Sequence, residues 1–503
     1  MLDIALYSFA SEVGARLNHL DPYHAPHYDF SKPRIKAILN NNFEWIMETY
    51  NDGRMRDAVL DNVIRTILCR TPFLGYDEFE CPDCGDWLLI YRHCHSRFCT
   101  RCGVKLQRKL ASKAEVMCIN SKHRHVVFTI PENYRELFRT DRNLLNILFA
   151  ASRNTLMKVF NKNIFDKAKR SKEKRNKSFY GELDYYYTMR NYKDIKIFGA
   201  IATLHTFGRD LKWNPHIHVL VPELVYNIKE EKCENFHHIN FESLRKNWQY
   251  EVNRLLKEHY DNSKDKKLKS HIKMLINQSY KNYDNGFYVY AKYQNDSFDE
   301  DDKINNEKKK NKVFSKNVGG CVSYMMRYAG RPAMAENRII SYDKENDSVS
   351  WWYDDHKTNE RITVSESGKE LLGKMFIHIP EKNFRMVRYY GFYSSKERDL
   401  LYKIHSILGN NVKASIIKQE KQKELKRKLN QLKFRTLCAD TYNRDILKCR
   451  CGSYYEYKDT YNPEGRTNER QYMLKCITEM RKLRPPGIYE EEWIWLSYQM
   501  DGR

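Results

Sequence analysis

Three apolar, β-branched segments between residues 125 and 221 have the pattern of buried β-strands. They are His125–Pro131 (HVVFTIP), Ile195–Leu204 (IKIFGAIATL) and His216–Val221 (HIHVLV). Continuous apolar runs of this length are typical of strands that are covered on both faces. We therefore predict three buried strands that form the centre of a domain.

Around these strands, apolar residues recur at helical spacing. Helices are predicted through residues 1–75, over Leu144–Phe160, through 226–283, and in the basic chain beyond about residue 400. A hairpin is predicted between residues 338 and 353, where two short β-prone runs flank a polar turn. Strands interrupted by helices, together with hairpin signals, favour an α+β fold class over a doubly wound parallel sheet.

The charge of the chain indicates a polyanionic partner. The 503 residues allow about three or four domains, and they include 88 Lys and Arg against 65 Asp and Glu, a formal net charge of +23. Such a surplus attracts polyanions, and nucleic acid is the leading candidate, although composition does not separate DNA from RNA. The sequence contains no run of 18 apolar residues, so it predicts no membrane-spanning helix, and we expect no membrane partner.

The N-terminal residues lack the basic segment and the long apolar core of a secretory signal. We therefore expect a cytoplasmic, reducing compartment for the 13 cysteines. Clustered thiols in such a compartment bind metal more often than they form disulfides.

Two Cys-x-x-Cys pairs predict a zinc site. They are Cys81-Pro-Asp-Cys84 and Cys99-Thr-Arg-Cys102, separated by 14 residues. The spacing is close to that of a zinc ribbon, in which each pair supplies two thiolates and both pairs complete a tetrahedron. We predict that these four cysteines hold one zinc ion, and four protein ligands make its role structural.

Two features complicate this assignment. His93, Cys94 and His95 lie between the pairs, and any of them is an alternative for one ligand position. Cys449-Arg-Cys451 has no second pair near it in the sequence, so ordinary free thiols are the better interpretation there.

Three histidines predict a second metal site. His216 and His218 lie two residues apart in an apolar strand, so both imidazoles project from the same face. His205 lies at the end of the preceding predicted strand and faces the pair if the two strands are neighbours. Core histidines are the alternative interpretation. A further His-x-His at residues 123–125 has a charged middle residue, and there we favour no metal role.

A tyrosine pair predicts a nucleophile. Tyr324 and Tyr328 are spaced i, i+4 in a short predicted helix, which places both phenols on one helix face. Arg327 and Arg331 each follow a tyrosine by three residues and are candidates to hold a phosphate. In a chain with 36 tyrosines such a pair also arises by chance, as packing or surface. The candidate metal sites in the same sequence favour the interpretation of the pair as a nucleophile.

Taken together, these motifs resemble those of one family. The motifs occur in the same order as in that family. Along the chain they are the Cys-rich stretch 74–102, HVVFTIP (125–131), LHTFGRDL with NPHIHVLV (204–221), YMMRYAGRP (324–332), and FIHIP with RYYG (376–391). The family is the HUH transposases with a tyrosine pair, of rolling-circle insertion sequences of the insertion sequence ninety-one type. The resemblance covers roughly residues 40–395.

The resemblance implies a domain order. An N-terminal helical region (1–75) is followed by a zinc-binding ribbon (76–115) and an HUH nuclease domain (120–345). That domain has a central antiparallel sheet flanked by helices, and a charged insertion at about 295–316. An extension (346–400) and a basic helical C-terminal region (401–503) complete the chain.

The resemblance also implies a reaction. Tyr324 or Tyr328 attacks single-stranded DNA to form a 5′-phosphotyrosine and a free 3′-hydroxyl, which later rejoins strands. Mg²⁺ or Mn²⁺ bound by His205, His216 and His218 assists, and the zinc is structural. The expected partners are single-stranded DNA, insertion-sequence ends and target DNA, and the expected location is the cytoplasm, at the nucleoid.

Three alternatives remain. A rolling-circle replication initiator or relaxase would share the chemistry, although no helicase P-loop of the form GxxxxGK[ST] is present. A zinc-ribbon nucleic-acid-binding protein without catalysis would use the histidines and tyrosines for packing only. A metal-dependent hydrolase would cleave DNA with bound water and form no covalent adduct.

Overall fold

The computed structural model describes a defined part of the chain. The described residues are 35–69, 74–96, 98–162, 195–236, 240–261, 264–292, 322, 324–327, 329–330, 332–355, 358, 360–408, 445, 447–462 and 470–482. They fall into two compact units. The first unit takes its described residues from 35–40, 64–94 and 445–482, and the second from 41–63 and 95–408. The charged insertion predicted at about 295–316 lies outside the described residues.

The strands, in chain order, are β1 (Tyr76–Glu80), β2 (Trp87–Tyr91), β3 (His123–Thr129), β4 (Lys196–Phe207), β5 (Trp213–Pro222), β6 (Leu224–Asn227), β7 (Lys232–Asn235), β8 (Val289–Lys292), β9 (Ile339–Asp343), β10 (Ser348–Asp354), β11 (Arg361–Ser367), β12 (Val387–Gly391) and β13 (Glu456–Tyr461).

The α-helices are α1 (Ile35–Asn41), α2 (Phe43–Asn51), α3 (Asp57–Ile67), α4 (Thr100–Met117), α5 (Glu132–Thr140), α6 (Leu145–Phe160), α7 (Phe241–Asp261), α8 (Lys266–Asn282), α9 (Gly368–Phe376), α10 (Arg398–Ile407) and α11 (Arg470–Lys482). The described residues of 322–330 are also helical and are called the Tyr324 segment here. None of the described helices is both long enough and apolar enough to cross a bilayer.

The second unit is organised around an antiparallel sheet of seven strands. The sheet has the order β7-β6-β4-β5-β3-β8, and β12 pairs with β4 as well. The predicted strands at 125–131, 195–204 and 216–221 are confirmed as β3, β4 and β5, its three central strands. The α+β fold class with a central antiparallel sheet is therefore confirmed.

The apolar runs are explained by cover on the sheet faces. Almost every residue of β4 is buried, and helices α5, α6 and α7 pack on the sheet. Trp248 of α7 packs against Phe128 of β3 with ring centroids 4.9 Å apart, and its indole N–H donates to the Thr129 carbonyl at 2.7 Å. This indole therefore combines a large buried apolar surface with a satisfied polar atom.

The predicted hairpin is confirmed as β9 and β10, and β11 extends it to a separate three-stranded sheet in the order β11-β10-β9. The helical interpretation of 226–283 was wrong at its start. Strands β6 and β7 form a hairpin there, and the helices α7 and α8 begin only at Phe241.

The first unit contains a three-stranded antiparallel sheet with the order β13-β1-β2. Strands β1 and β2 form a hairpin, and β13 pairs with the other side of β1. The sequence predicted a helical region after residue 400 and gave no sign of β13. Its register joins Tyr76 of β1 to Tyr461 of β13, about 385 residues apart in the chain.

Candidate active site

The strand register brings the three predicted histidines together. His205 of β4 is the direct partner of His216 of β5, and His218 lies two residues further along β5. Directly opposed residues and i, i+2 neighbours share one face of a sheet. The three ligand nitrogens lie within 4.8 Å of one another, and the His205 and His218 rings stack with centroids 3.7 Å apart. The three imidazoles thus form one compact cluster.

Backbone carbonyls orient two of these rings. The Nδ1 atom of His216 lies 2.6 Å from the Asn214 oxygen, and the Nε2 atom of His205 lies 3.4 Å from the Met325 oxygen. A carbonyl only accepts, so both of these nitrogens carry the proton and donate it. The other nitrogen of each ring is then unprotonated, as in ligating histidines, whose second nitrogen usually donates to a carbonyl or carboxylate.

Burial keeps these imidazoles neutral. It lowers the pKa of His216 to about 4, and it holds the pKa values of His205 and His218 well below 6.5, with further lowering from the neighbouring histidines. The neutral imidazole is the form that binds a metal ion.

His125 is the residue that the sequence analysis missed. Its Nε2 atom lies 2.7 Å from the Nδ1 atom of His218, and their rings stack with centroids 4.8 Å apart. His125 is not in the group of potential metal ligands, which agrees with the preference for no metal role at residues 123–125, but its contact with His218 was not foreseen. A second His-x-His in an adjacent strand was the available signal, but only the register shows which imidazole meets His218.

Tyr324 lies against the same face of the sheet. Its ring centroid is 5.9 Å from that of His125 and 6.0 Å from that of His218. Arg327 is half-buried one turn further along the Tyr324 segment. The other two predicted residues of this motif, Tyr328 and Arg331, lie outside the described residues.

The Tyr324 segment approaches helix α4 very closely. A Cβ atom added at Gly330 would lie 2.5 Å from the backbone nitrogen of Gln107 and 2.6 Å from its Cα atom. Backbone atoms do not move aside as a flexible side chain does. The missing side chain of Gly330 is therefore what lets the segment pack in this position.

His378 supports the turn that joins β4 to β5. Its Nε2 atom donates to the Leu211 carbonyl at 2.9 Å, and its Nδ1 atom accepts from the Thr206 hydroxyl at 3.1 Å. The ring also stacks on Trp213 with centroids 5.9 Å apart. Leu211 has φ of +62°, a strained conformation for leucine. His378 thus stabilises the turn between two metal-ligand candidates.

The cysteine clusters require a correction. Cys81 and Cys84 lie in one thiol cluster with Cys449 and Cys451, not with the second predicted pair. The Sγ atoms of Cys81 and Cys451 are 3.5 Å apart, as are those of Cys84 and Cys449. Cys449 and Cys451 therefore do have a second pair beside them, which the sequence did not indicate, because β13 returns the C-terminal chain to β1.

One tetrahedron from Cys81, Cys84, Cys99 and Cys102 is therefore not what the structure contains. Cys99 caps the N-terminus of α4, Cys102 lies in its first turn, and both are buried in the second unit. They remain candidate zinc ligands.

The residues between the pairs differ in environment. In the first unit Cys94 is buried, and its backbone N–H donates to the Cys69 sulfur at 3.5 Å, whereas His95 is exposed with φ of +52°. Cys94 belongs with Cys69 to one group of potential metal ligands, and among the described residues neither His93 nor His95 belongs to such a group. Of the three alternatives His93, Cys94 and His95, the geometry therefore favours Cys94.

Two family models match the chain. One is described as a putative transposase and matches residues 199–399, and the other as a transposase zinc-binding domain and matches residues 38–130. These matches support a transposase of the insertion sequence ninety-one type with an N-terminal zinc-binding domain. The first match includes the three-histidine cluster and the Tyr324 segment. The second includes His125 and both predicted cysteine pairs, but neither reaches Cys449 or Cys451.

Two relatives are similar over most of their length. The transposase for insertion sequence element IS801 from Pseudomonas savastanoi pv. phaseolicola is 26% identical over 72% of this chain and 76% of its own. Putative transposase y4qJ from Sinorhizobium fredii (strain NBRC 101917 / NGR234) is 24% identical over 69% of this chain and 77% of its own. No solved structure matches.

Proposed function

We propose that this transposase cleaves and rejoins single-stranded DNA by tyrosine transesterification, in a rolling-circle type of transposition. The observation that carries the proposal is the position of Tyr324, whose ring lies 6.0 Å from that of His218 on the face of the three-histidine cluster. A phenol beside a cluster of neutral, metal-binding nitrogens combines a nucleophile with a site where a bound cation would counter the phosphate charge.

The chemical step conserves the phosphodiester energy. The phenolic oxygen of Tyr324 or Tyr328 forms a bond to phosphorus, and the bond from phosphorus to the 3′-oxygen breaks. The phenol loses its proton, and the departing 3′-oxygen takes one up. The products are a 5′-phosphotyrosine and a 3′-hydroxyl. The reverse attack by a 3′-hydroxyl rejoins strands without ATP. With two tyrosines, one can carry out a second DNA cleavage while the other remains covalently bound to the first DNA end.

The histidine cluster fits a divalent ion. His205, His216 and His218 would hold it, because the three nitrogens lie close together and two carbonyls fix their tautomers. A bound ion supplies Lewis-acid polarisation of phosphate oxygens. Mn²⁺ suits three imidazoles better than Mg²⁺, which prefers oxygen ligands.

Other residues of the chain would bind the DNA. Arg327 and Arg331 are the candidates for holding phosphate oxygens at the tyrosines, where a guanidinium gives two parallel hydrogen bonds. The zinc-binding region and the basic surface would hold insertion-sequence ends and target DNA through phosphate contacts. Action on chromosomal DNA would place the protein in the cytoplasm at the nucleoid.

The test is a denaturing gel of the purified protein with labelled single-stranded DNA from the ends of its insertion sequence, plus Mn²⁺. We expect a labelled protein–DNA band that disappears in the Tyr324→Phe/Tyr328→Phe double variant. Tyr288→Phe is the matched control, because Tyr288 is exposed in the same unit and lies outside the site. It should give the wild-type band.

The alternatives give different gels. Cleaved DNA without a covalent band indicates hydrolysis by bound water. Binding without cleavage on authentic ends indicates a nucleic-acid-binding protein without catalysis. An active protein that requires a replication origin or a transfer origin in place of insertion-sequence ends indicates an initiator or relaxase.

A further inference from the structure

The cluster of Cys81, Cys84, Cys449 and Cys451 is built from two tight turns. In the first turn the Gly85 N–H donates to the Cys81 carbonyl at 2.9 Å, and Gly85 has φ of +70°. In the second turn the Gly452 N–H donates to the Cys449 carbonyl at 3.1 Å, and Gly452 has φ of +100°. Each turn thus has a glycine where the backbone needs a positive φ.

Both turns lie at the ends of strands in one sheet. The first turn joins β1 to β2, and the second precedes β13, which pairs with β1. A zinc ribbon has this arrangement, with two thiol-bearing turns beside a small antiparallel sheet. Here the two halves of the ribbon come from opposite ends of the chain.

The sulfur positions suit one tetrahedral ion. All four Sγ atoms lie within 4.8 Å of one another, with two pairs at 3.5 Å. A tetrahedron with metal–sulfur bonds of ~2.3 Å has sulfur–sulfur edges of ~3.8 Å, whereas a disulfide bond is ~2.05 Å long. The spacing is thus that of four ligands and not of two disulfides.

Neighbouring side chains support the same arrangement. Tyr455, which follows the second turn, donates its hydroxyl to Asp86 beside the first turn at 2.6 Å. Leu88 and Tyr455 form a small buried cluster with Cys81 and Cys449. The two turns are therefore held together by packing and by a charge-assisted hydrogen bond as well as by the thiols.

We propose that Cys81, Cys84, Cys449 and Cys451 bind one structural Zn²⁺ that fastens the C-terminal segment to the N-terminal zinc-binding region. The site goes beyond the family zinc-binding domain, whose match ends at residue 130. It closes a loop of 365 residues between Cys84 and Cys449, which includes the whole transposase match. Closing so long a loop restricts the unfolded chain strongly.

The first test is the zinc content of the purified full-length protein, measured with a set of paired variants. Cys449→Ser/Cys451→Ser should lose one zinc ion per chain, and Cys81→Ser/Cys84→Ser should lose the same one. The quadruple variant should lose no more than either pair, because all four thiols serve one ion. Cys233→Ser, which alters a half-buried thiol of β7 outside these clusters, should keep the wild-type content.

Two results overturn the proposal. One is wild-type zinc content in Cys449→Ser/Cys451→Ser. The other is additive loss, in which the quadruple variant loses two ions where each pair loses one. Since these measurements need no DNA, they are independent of the proposed strand transfer.

A second test does not depend on variants that remove ligands. Cys84 and Cys451 are exposed, so they should react quickly with an alkylating reagent unless a metal holds them. In the wild-type protein we expect both to resist alkylation until a zinc chelator is added, and then to react together. Rapid alkylation of Cys451 in zinc-replete protein overturns the proposal.

A cobalt-substituted protein gives a direct view of the ligands. Cys451→His should keep the cobalt but weaken its thiolate charge-transfer absorption, because one sulfur is replaced by nitrogen. An unchanged spectrum would show that Cys451 is not a ligand.

Discussion

The Nε2 atom of His125 in β3 lies 2.7 Å from the Nδ1 atom of His218 in β5. If His218 donates from Nδ1 to His125, the Nε2 atom of His218 is unprotonated, which is the form that binds a divalent ion. A carbonyl already orients each of His205 and His216, and His125 takes the corresponding place for His218. We therefore expect His125 to act as a positioning residue for the histidine cluster.

We expect His125→Phe to reduce strand cleavage by about 10- to 100-fold, the usual effect of losing the partner of a metal ligand. The phenyl ring preserves packing but accepts no hydrogen bond from His218. The Mn²⁺ concentration that supports half-maximal cleavage should rise. His125→Gln retains an acceptor and should restore part of both quantities.

The matched control is His123→Gln in the same strand. The Nδ1 atom of His123 lies 2.8 Å from the Ser121 carbonyl and its Nε2 atom 2.8 Å from the Tyr393 hydroxyl, so both ring nitrogens contact groups outside the histidine cluster. It should leave the Mn²⁺ dependence of cleavage unchanged. An unaltered Mn²⁺ dependence in His125→Phe would contradict the positioning role.

We predict that Gly330→Ala impairs cleavage because it displaces the Tyr324 segment. The new methyl group would lie 2.5 Å from the Gln107 nitrogen, and relief of that overlap requires backbone movement. Overpacking of this kind destabilises by about 1–3 kcal/mol. Cleavage should fall by at least about tenfold, as a small misplacement of a nucleophile is enough for that loss.

Gly373→Ala is the control for this variant. Gly373 lies in helix α9, and a Cβ atom there meets nothing within 4 Å. Alanine should therefore leave cleavage unchanged and stabilise the protein by roughly 0.5–1 kcal/mol. Thermal unfolding and the cleavage assay of both variants test the prediction, and full activity in Gly330→Ala would contradict it.

We expect His378 to make the folded protein sensitive to acid. Burial lowers its pKa from 6.5 to about 4; Arg142 lowers it further, while the Leu211 carbonyl and Asp210 oppose the shift. The unfolded chain therefore takes up a proton at higher pH than the folded one. The stabilisation is complete above about pH 6.5, and up to about 3 kcal/mol of it is lost as the pH falls to about 4.

His378→Gln isolates this contribution. The glutamine amide can donate to the Leu211 carbonyl and accept from the Thr206 hydroxyl, but it does not titrate. Urea unfolding at several pH values should show a smaller loss of unfolding free energy in the variant between pH 6.5 and 4. Identical pH dependence in both proteins would contradict the assignment.

Local sequence patterns were sufficient for the central sheet and for the histidine cluster. His216 and His218 share a face because strand periodicity is two, and His205 joined them because consecutive strands usually pair. The apolar runs of β3, β4 and β5 were recognisable because both faces of the sheet are covered.

The grouping of the cysteines was beyond local patterns. Cys81 and Cys84 pair with Cys449 and Cys451 through the β1–β13 register, a contact between distant parts of the chain that no spacing rule encodes. The same holds for His125, whose role depends on which strand lies beside β5. In both cases the residues were visible in the sequence, and only tertiary pairing gave them partners.

Trapping the adduct would reveal the proposed covalent tyrosine intermediate itself. The substrate is single-stranded DNA from the insertion-sequence end with sulfur in place of the bridging 3′-oxygen at the cleavage site. Attack by a tyrosine releases a 3′-thiol, a poor nucleophile for the reverse step, so the adduct accumulates. Mass spectrometry of the digested protein then locates the DNA-bearing peptide.

We predict a 5′-phosphodeoxynucleotide on the peptide that contains Tyr324 or Tyr328, and none in the Tyr324→Phe/Tyr328→Phe variant. DNA cleaved to a free 5′-phosphate with no modified peptide, or an adduct on a residue outside this pair, would contradict the account.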